Sequence, residues 1–217
     1  MRVTRDGWRE MLLVTLVCAL AGGLCVYLVH WTLGLVFLGL WVFGVAFFRD
    51  PERSVPDDAT VLVAPADGTI TEVTRLDDDP IVGGPAWKIG IFLSIFNVHI
   101  NRSPCDGRVI ACAYKPGRFL NAMNAASSEQ NESNTVTLEA EAPQLGPIIV
   151  RQVSGLIARR IVCHCGPGDR LARGQRFGMI KFGSRTELIV PCRDDVQVAV
   201  DLRQRVRAGQ SILVQTR

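Results

Sequence analysis

The first quarter of the chain is dominated by an apolar run without fixed charge. Met11 to Phe48 contains no Asp, Glu, Lys or Arg. As one helix this run would extend about 57 Å, nearly twice the ~30 Å hydrocarbon core of a bilayer. We therefore predict a transmembrane helical hairpin, with spans at Met11–Val29 and Trp31–Phe48 and a turn near His30. The run is too long for the apolar core of a cleaved signal peptide, which has about 7 to 15 residues.

Basic residues flank this run on both sides, and its predicted turn carries none. They are Arg2, Arg5 and Arg9 before the run and Arg49 and Arg53 after it. Because loops rich in Lys and Arg stay on the cytoplasmic side, both ends of the hairpin are expected there. The sequence thus predicts a membrane anchor at residues 1–49 and a second domain, residues 50–217, on the cytoplasmic side of the cell membrane.

After Pro51 the pattern changes to short β-branched runs separated by Gly, Pro and Asp, which is typical of strands. We predict a mainly β (α+β) fold whose second domain is a compact β-sandwich, similar to a barrel-sandwich. Asp67–Ile70 and Gly168–Gly178 resemble the two turns of a biotinyl- or lipoyl-type domain. Asp77–Pro85 is expected to be a mobile, turn-rich loop, and Arg118–Ser128 a loop or short helix. The predicted strands are Val61–Val63, Thr69–Val73, Lys88–Leu93, Gly107–Ala113, Thr135–Glu139, Ile148–Val153 and Ile157–Val162.

Composition and charge narrow the classes of protein. The chain has 217 residues, 48% of them hydrophobic, which suits one compact domain plus a membrane segment. Its net charge of only +3 gives no electrostatic footprint for nucleic acid. Six arginines before residue 184 either meet phosphate headgroups or are simply solvated. They are Arg151, Arg159, Arg160, Arg170, Arg173 and Arg176.

The seven cysteines do not suggest a disulfide framework, because their number is odd and the domain is expected to be cytoplasmic. Cys163-His164-Cys165 raises the question of a metal. Its spacing is too tight for a structural zinc knuckle, and no second Cys or His pair follows. We therefore expect reduced thiols and no metal.

Three residues are candidates for chemistry. Ser184 follows Gly183, and a hydroxyl in this position can turn onto the preceding carbonyl because glycine has no side chain to block it; the alternative is an ordinary turn serine. His99 is the best proton carrier of the three histidines, since His30 lies in the apolar run and His164 on a cysteine-flanked strand. Asp67 is either a turn residue or part of the same site.

Several separated motifs occur in the order found in one family. With the apolar N-terminus, they make the chain resemble the phosphatidylserine decarboxylase proenzymes in their short, membrane-anchored form, over roughly residues 50 to 200. The motifs are Ala64-Pro-Ala-Asp67-Gly68, Asn97-Val-His99-Ile-Asn-Arg102-Ser-Pro104, Asn131-Glu132, Gly168-Asp169, Gly174-Gln175, Gly178 and Gly183-Ser184-Arg185.

The resemblance implies a zymogen that cleaves itself between Gly183 and Ser184. The products would be a β chain, residues 1–183, and an α chain, residues 184–217, with Ser184 converted to a covalent pyruvoyl cofactor. The implied activity is a lyase reaction in phospholipid biosynthesis, the decarboxylation of phosphatidylserine to phosphatidylethanolamine through a Schiff base. No other cofactor and no metal are implied.

The resemblance also implies roles for His99 and Asp67. His99 would act in decarboxylation, and Asp67 would help to activate Ser184. The family's second histidine is replaced here by Arg102, so the proton of Ser184 could go to His99, to Asp67 or to water. Arg102 is expected to bind the substrate carboxylate or an oxyanion. The expected partners are phosphatidylserine, the bilayer and the two cleaved chains, with homo-oligomerisation left open and no nucleic acid.

Two other functions compete with this interpretation. A noncatalytic membrane-anchored adaptor with a barrel-sandwich domain needs no reactive Ser184 and predicts an uncleaved chain. A zinc peptidase on a related β scaffold needs several His and Asp ligands, which three scattered histidines supply poorly.

Overall fold

The chain folds into two units, Met1–Glu52 and Arg53–Arg217. The computed structural model describes residues 2–124, 126–156, 160–181 and 183–217, with the main chain alone at Ala142. The boundary between the units lies just after the apolar run.

The N-terminal unit contains the predicted pair of apolar helices. A short 3-10 turn, Arg5–Gly7, leads into α1, Trp8–Leu28, and α2 follows at Thr32–Phe47. Arg5–Leu28 is long and apolar enough to cross a membrane, whereas α2, with 16 residues, is shorter. The chain turns between the helices around His30, where the sequence predicts it.

Small residues and one polar contact join the two helices. A Cβ atom on Gly22 would lie 3.0 Å from Cβ of Phe37, so glycine permits this close approach. The indole N–H of Trp41 donates to Oγ1 of Thr15 at 2.9 Å. This contact satisfies a polar group inside an apolar hairpin.

The two ends of the hairpin also meet. Val3 forms an antiparallel bridge with Arg49. The amide of Thr4 donates to the carbonyl of Phe48, and the amide of Asp50 donates to that of Arg2, both at 2.9 Å. The arginines that flank the apolar run are therefore gathered at one end of the hairpin.

The second unit is built mainly from antiparallel strands, which confirms the mainly β prediction. The described strands form an eight-stranded sheet in the order β13-β2-β3-β11-β7-β6-β5-β9 and two three-stranded sheets, β1-β14-β12 and β4-β10-β8. None of these sheets closes into a barrel. The strands are β1 Val61–Val63, β2 Gly68–Asp79, β3 Gly84–Leu93, β4 Ile100–Arg102, β5 Asp106–Lys115, β6 Ser133–Ala142, β7 Gly146–Val153, β8 Arg160–Cys163, β9 Arg170–Leu171, β10 Arg176–Lys181, β11 Ser184–Pro191, β12 Val196–Val198, β13 Arg205–Val206 and β14 Ile212–Thr216.

The main core lies on one face of the eight-stranded sheet. Ile70, Ile91, Leu138, Val150 and Leu188 are fully buried there, one each from β2, β3, β6, β7 and β11. Burying a side chain of this size contributes about 1.5–3 kcal/mol. Because β11 lies between β3 and β7, the segment that begins at Ser184 is a central part of the fold.

Two sequence predictions need correction or restriction. The turn predicted within Asp77–Pro85 is present but shorter than expected, because β2 runs to Asp79 and β3 begins at Gly84. The Asp79 carboxylate accepts the amides of Ile81 and Val82, both at 3.0 Å, and so closes a tight turn. For the predicted strand Ile157–Val162, residues 157–159 lie outside the described residues. Every other predicted strand falls within an observed one, and the described residues of 118–126 form a loop that leads into a short helix, α3, Ser127–Gln130.

Candidate active site

The fold brings the predicted cleavage site and His99 to the same boundary between two sheets. After β3 of the eight-stranded sheet, a connection that ends at His99 leads to β4 of the β4-β10-β8 sheet. The chain returns from β10 to the eight-stranded sheet through Gly183, directly before β11. At one side of this boundary Leu93 pairs with Ser184. At the other side the amide of Ile180 donates to the His99 carbonyl at 3.2 Å. The two connections are therefore held by paired strands.

Ser184 is fully buried at the start of β11. Its Oγ has no hydrogen-bond partner among the residues that the structure describes. Leaving a buried hydroxyl unsatisfied costs about 1–3 kcal/mol. No hydrogen bond to the described residues therefore fixes the position of this hydroxyl.

Gly183 has a left-handed main chain, with φ at +59°. Glycine adopts this conformation without the strain that a side chain would cause. Its carbonyl lies against Gly155, where a Cβ atom would overlap the Gly183 oxygen. The bond expected to break is therefore in an unusual conformation and is packed against a second glycine.

His99 is buried and has a fixed ring orientation. Its Nδ1 lies 3.0 Å from the carbonyl oxygen of Asn97. A carbonyl can only accept, so Nδ1 carries the hydrogen in this contact, which leaves Nε2 as the ring nitrogen that faces away from Asn97. The side chain of Asn97 holds this turn by accepting the amide of Ser94 at 2.9 Å and its hydroxyl at 2.8 Å.

Asp67 is buried and paired with Arg53, a residue that the sequence analysis treated only as a flank of the apolar run. Nη2 of Arg53 lies 3.0 Å from Oδ1 and 2.8 Å from Oδ2 of Asp67. The amide of Ala208 donates to Oδ1 at 2.8 Å. Within the described part of the chain, these are the hydrogen bonds of the Asp67 carboxylate, and none reaches Ser184 or His99. Asp67 thus joins the start of the unit to its C-terminal segment.

Arg102 is buried to 5% exposure, and its Nη1 donates to the Gly174 carbonyl at 2.9 Å. Its amide donates to the Pro65 carbonyl at 3.0 Å. These bonds attach β4 to the Ala64–Gly68 motif and to the Gly174 turn. The substrate-binding role expected for Arg102 stays a prediction.

A chain of buried amide side chains lies behind Ser184 and was missed in the sequence. Nδ2 of Asn101 donates to Oγ1 of Thr186 at 3.0 Å, and Nε2 of Gln152 donates to Oδ1 of Asn101 at 2.9 Å. Since side chains alternate along a strand, Thr186 faces the same side of β11 as Ser184. The available signal was the polar pair Ser184 and Thr186 on a strand face that is otherwise apolar.

The opposite face of β11 carries an ion cluster. Glu187 is fully buried, with Oε1 2.8 Å from Nε of Arg185 and 3.5 Å from Nζ of Lys88. Burial acts to raise the pKa of Glu187, but the charges of Lys88 and Arg185 outweigh it and keep that pKa below its usual value. Arg185, the third residue of the Gly-Ser-Arg motif, also pairs with Glu72. It therefore anchors β11 to β2.

A cavity of about 290 Å³ opens beside the cleavage site. Small-ligand sites are commonly about 300–1,000 Å³, so this one suits a small group. Apolar side chains form much of its wall. The lining residues are Phe92, Leu93, Ser94, Ile95, Asn121, Ala122, Leu156 and Gly183.

The buried Asn131 holds two parts of this wall together. Its Nδ2 donates to the carbonyls of Leu120, at 2.9 Å, and Ser154, at 2.8 Å. Its Oδ1 accepts the amide of Leu120 at 2.8 Å. The Asn131-Glu132 motif thus fixes the loop that includes Ala122 against the strand end that carries Gly155.

Comparison with known proteins identifies the family of the chain. The family model described as phosphatidylserine decarboxylase matches residues 40–214. A phosphatidylserine decarboxylase proenzyme of Rhodopirellula baltica is 41% identical over 210 residues, which cover 96% of this chain and 85% of the relative. The proenzyme of Symbiobacterium thermophilum is 43% identical over 211 residues, covering 97% and 94%. That of Carboxydothermus hydrogenoformans is 43% identical over 186 residues, covering 86% and 85%. The chain belongs to the phosphatidylserine decarboxylase family.

Proposed function

We propose that this protein is a self-processing, pyruvoyl-dependent decarboxylase that converts phosphatidylserine to phosphatidylethanolamine. Cleavage between Gly183 and Ser184 would give a β chain of residues 1–183 and an α chain of residues 184–217. The observation that carries the proposal is the buried Ser184 hydroxyl, unpaired among the described residues and directly after a left-handed glycine.

Self-cleavage needs no reactant besides water. Oγ of Ser184 attacks the carbonyl carbon of Gly183, and the peptide C–N bond breaks, so the acyl group moves to oxygen and the nitrogen becomes an amine. Elimination then breaks the Cβ–O bond and releases the Gly183 carboxylate, with loss of the Cα proton. The dehydroalanine that remains takes up one water and releases one ammonia. A pyruvoyl group is left at the start of the α chain.

Asp67 supports this cleavage as a positioning residue. Its carboxylate binds Arg53 and the Ala208 amide, and the Ala64–Gly68 motif contacts β4 through the Pro65 carbonyl. Loss of Asp67 would leave the buried Arg53 guanidinium without a carboxylate, with Gln210 as a remaining hydrogen-bond partner. The strand next to His99 would then lose one of its attachments.

The site suits a pyruvoyl group at position 184. The conversion removes Oγ, and this atom has no hydrogen bond to the described residues that would be lost with it. A pyruvoyl group supplies a ketone that withdraws electrons as carbon dioxide leaves. His99, with its hydrogen on Nδ1 toward Asn97, would deliver the replacing proton from Nε2. The cavity beside Gly183 would receive the serine headgroup.

The cleaved chains would remain together. The α chain contains β11, which lies between β3 and β7, and β14, which lies between β1 and β12. The hairpin would hold the catalytic unit at the cytoplasmic face, since flanking arginines gather at one end of it. The active site would then stay at the surface where the diacyl substrate resides.

Intact-mass measurement of the detergent-solubilised protein tests this function, together with release of carbon dioxide from phosphatidylserine. The wild type should give two chains, the smaller one blocked at its amino terminus. Ser184→Ala should give one full-length, inactive chain. Ser154→Ala is the matched control, because Ser154 is also buried with an Oγ that is unpaired in the described structure. A wild-type chain that stays intact and inactive would refute the proposal and favour the adaptor function.

A further inference from the structure

Three thiols from two sheets meet outside the candidate active site. They belong to Cys112 on β5, Cys163 at the end of β8, and Cys165 two residues later. Their sulfur atoms all lie within 4.8 Å of one another. The sulfurs of Cys163 and Cys165 are 3.5 Å apart.

The strand geometry explains why these sulfurs converge. Cys163 and Cys165 are two residues apart, a spacing that puts both side chains on one side of an extended segment. The thiols of Cys112 and Cys163 each lie 3.5 Å from the carbonyl oxygen of Cys165. The sequence analysis expected no metal because Cys163-His164-Cys165 lacks a second pair. The structure supplies a third thiol from a distant strand.

The spacing of the sulfurs matches what one thiophilic cation requires. Zinc binds thiolate sulfur at about 2.3 Å, so two sulfurs in a tetrahedral site are about 3.8 Å apart. The observed cluster needs shifts of less than about 1 Å to reach this arrangement. Since thiolates select Zn²⁺, Cu⁺ and similar soft cations, the ligand set does not suit Mg²⁺ or Ca²⁺.

The site also has an entry path and room for a fourth ligand. All three cysteines are partly exposed. Cys165 and Asp169 line an open cavity of about 300 Å³ next to the cluster. The Asp169 carboxylate is held there by the amide of Gly166, at 2.8 Å from Oδ2.

We propose that Cys112, Cys163 and Cys165 bind one zinc ion, with water or another small ligand in the fourth position. Binding replaces the thiol protons, which pass to solvent, and forms three sulfur–zinc bonds without any change in oxidation state. The ion would tie β5 of the eight-stranded sheet to the segment after β8. Its role would be structural and separate from the chemistry at Ser184.

Titration of the full-length protein in detergent, reduced by a phosphine, tests this site. Cd²⁺ serves as the probe because thiolate-to-cadmium charge transfer absorbs in the ultraviolet, and Zn²⁺ is added as the competitor. We expect one equivalent of Cd²⁺ to bind and to be displaced by Zn²⁺. Loss of a residue that only positions a metal ligand weakens metal affinity by about 10–100-fold. Cys112 and Cys163 are themselves proposed ligands, so Cys112→Ser and Cys163→Ser should each weaken Cd²⁺ binding at least about 100-fold.

Cys192→Ser is the matched control, since it removes a partly exposed thiol from the same unit but not from the cluster. It should bind like the wild type. Equal binding by Cys112→Ser and the wild type would overturn the proposal. A disulfide between any two of the three cysteines would also overturn it, if it is found in protein whose free thiols were alkylated at lysis.

Discussion

Gly155→Ala should separate the geometry of the cleaved bond from the chemistry of Ser184. A Cβ atom at position 155 would overlap the Gly183 carbonyl oxygen and lie 3.3 Å from Cβ of Ala122. The atoms on both sides are main chain or a short methyl group, so no flexible side chain can move away. The carbonyl that Ser184 must attack would have to shift.

The size of the effect follows from this overlap. The two backbones must separate by about 1 Å, a displacement that costs about 10²-fold in rate when it falls on a reacting atom. Overpacking of this kind also costs about 1–3 kcal/mol of stability. We therefore expect Gly155→Ala to fold, to be less stable than the wild type and to cleave about 10²-fold more slowly.

The assay is a time course of cleavage in newly made protein, read by gel and intact mass, beside thermal unfolding of the uncleaved chain. Gly166→Ala is the matched control, because a Cβ atom there meets nothing within 4 Å. Gly166→Ala should cleave at the wild-type rate. If Gly155→Ala cleaves as fast as Gly166→Ala, the carbonyl is not held against Gly155 and the reasoning is wrong.

Three further substitutions address the other groups of the site. His99→Ala should still give two chains but release carbon dioxide at least about 10²-fold more slowly; failure to cleave would show that His99 also activates the serine. Asp67→Ala should stall as the uncleaved chain, and cleavage at the wild-type rate in a gel assay would contradict its positioning role. Glu187→Gln should lower the free energy of unfolding at neutral pH by less than the ~3–5 kcal/mol of a fully unpaired buried charge, because Lys88 and Arg185 keep Glu72 as a partner. The pKa of Glu187 in the folded protein lies below its usual value of 4.5. Above pH 4.5 the ionised carboxylate therefore stabilises the wild type, and this stabilisation is lost as the pH falls through the lowered pKa. Urea unfolding from neutral to acid pH should therefore show a smaller stability loss in Glu187→Gln, and parallel curves would contradict this.

The helices and strands could be predicted from the sequence where they depend on residues that are close together in the chain. The charge-free run Met11–Phe48 predicted both helices and the turn near His30. This prediction needed only the length of the run and the thickness of a bilayer, and no contact between distant residues. The loop predicted at Asp77–Pro85 was too long, and the reason is again local. Its Asp, Pro and Gly residues are typical of a loop, but the Asp79 side chain closes a turn between two long strands.

The candidate site was predictable only in part, because some of its contacts join residues far apart in the chain. The order of motifs identified Ser184, His99 and Asp67 as candidates. It could not show that Arg53, beside the membrane segment, pairs with Asp67. Nor could it bring Cys112 to Cys163, since that proximity depends on how two sheets pack.

If the chain is cut before Ser184, as proposed, the central position of β11 changes the thermodynamics of unfolding. Before cleavage, β11 returns to its place between β3 and β7 in a unimolecular reaction. After cleavage, refolding requires two molecules to meet, so the midpoint of unfolding depends on protein concentration. Dilution then favours the unfolded chains, whereas the unfolding midpoint of the uncut Ser184→Ala protein does not depend on protein concentration. The mature enzyme would be a heterodimer whose smaller subunit supplies an interior strand, and heating it at low concentration would be far harder to reverse.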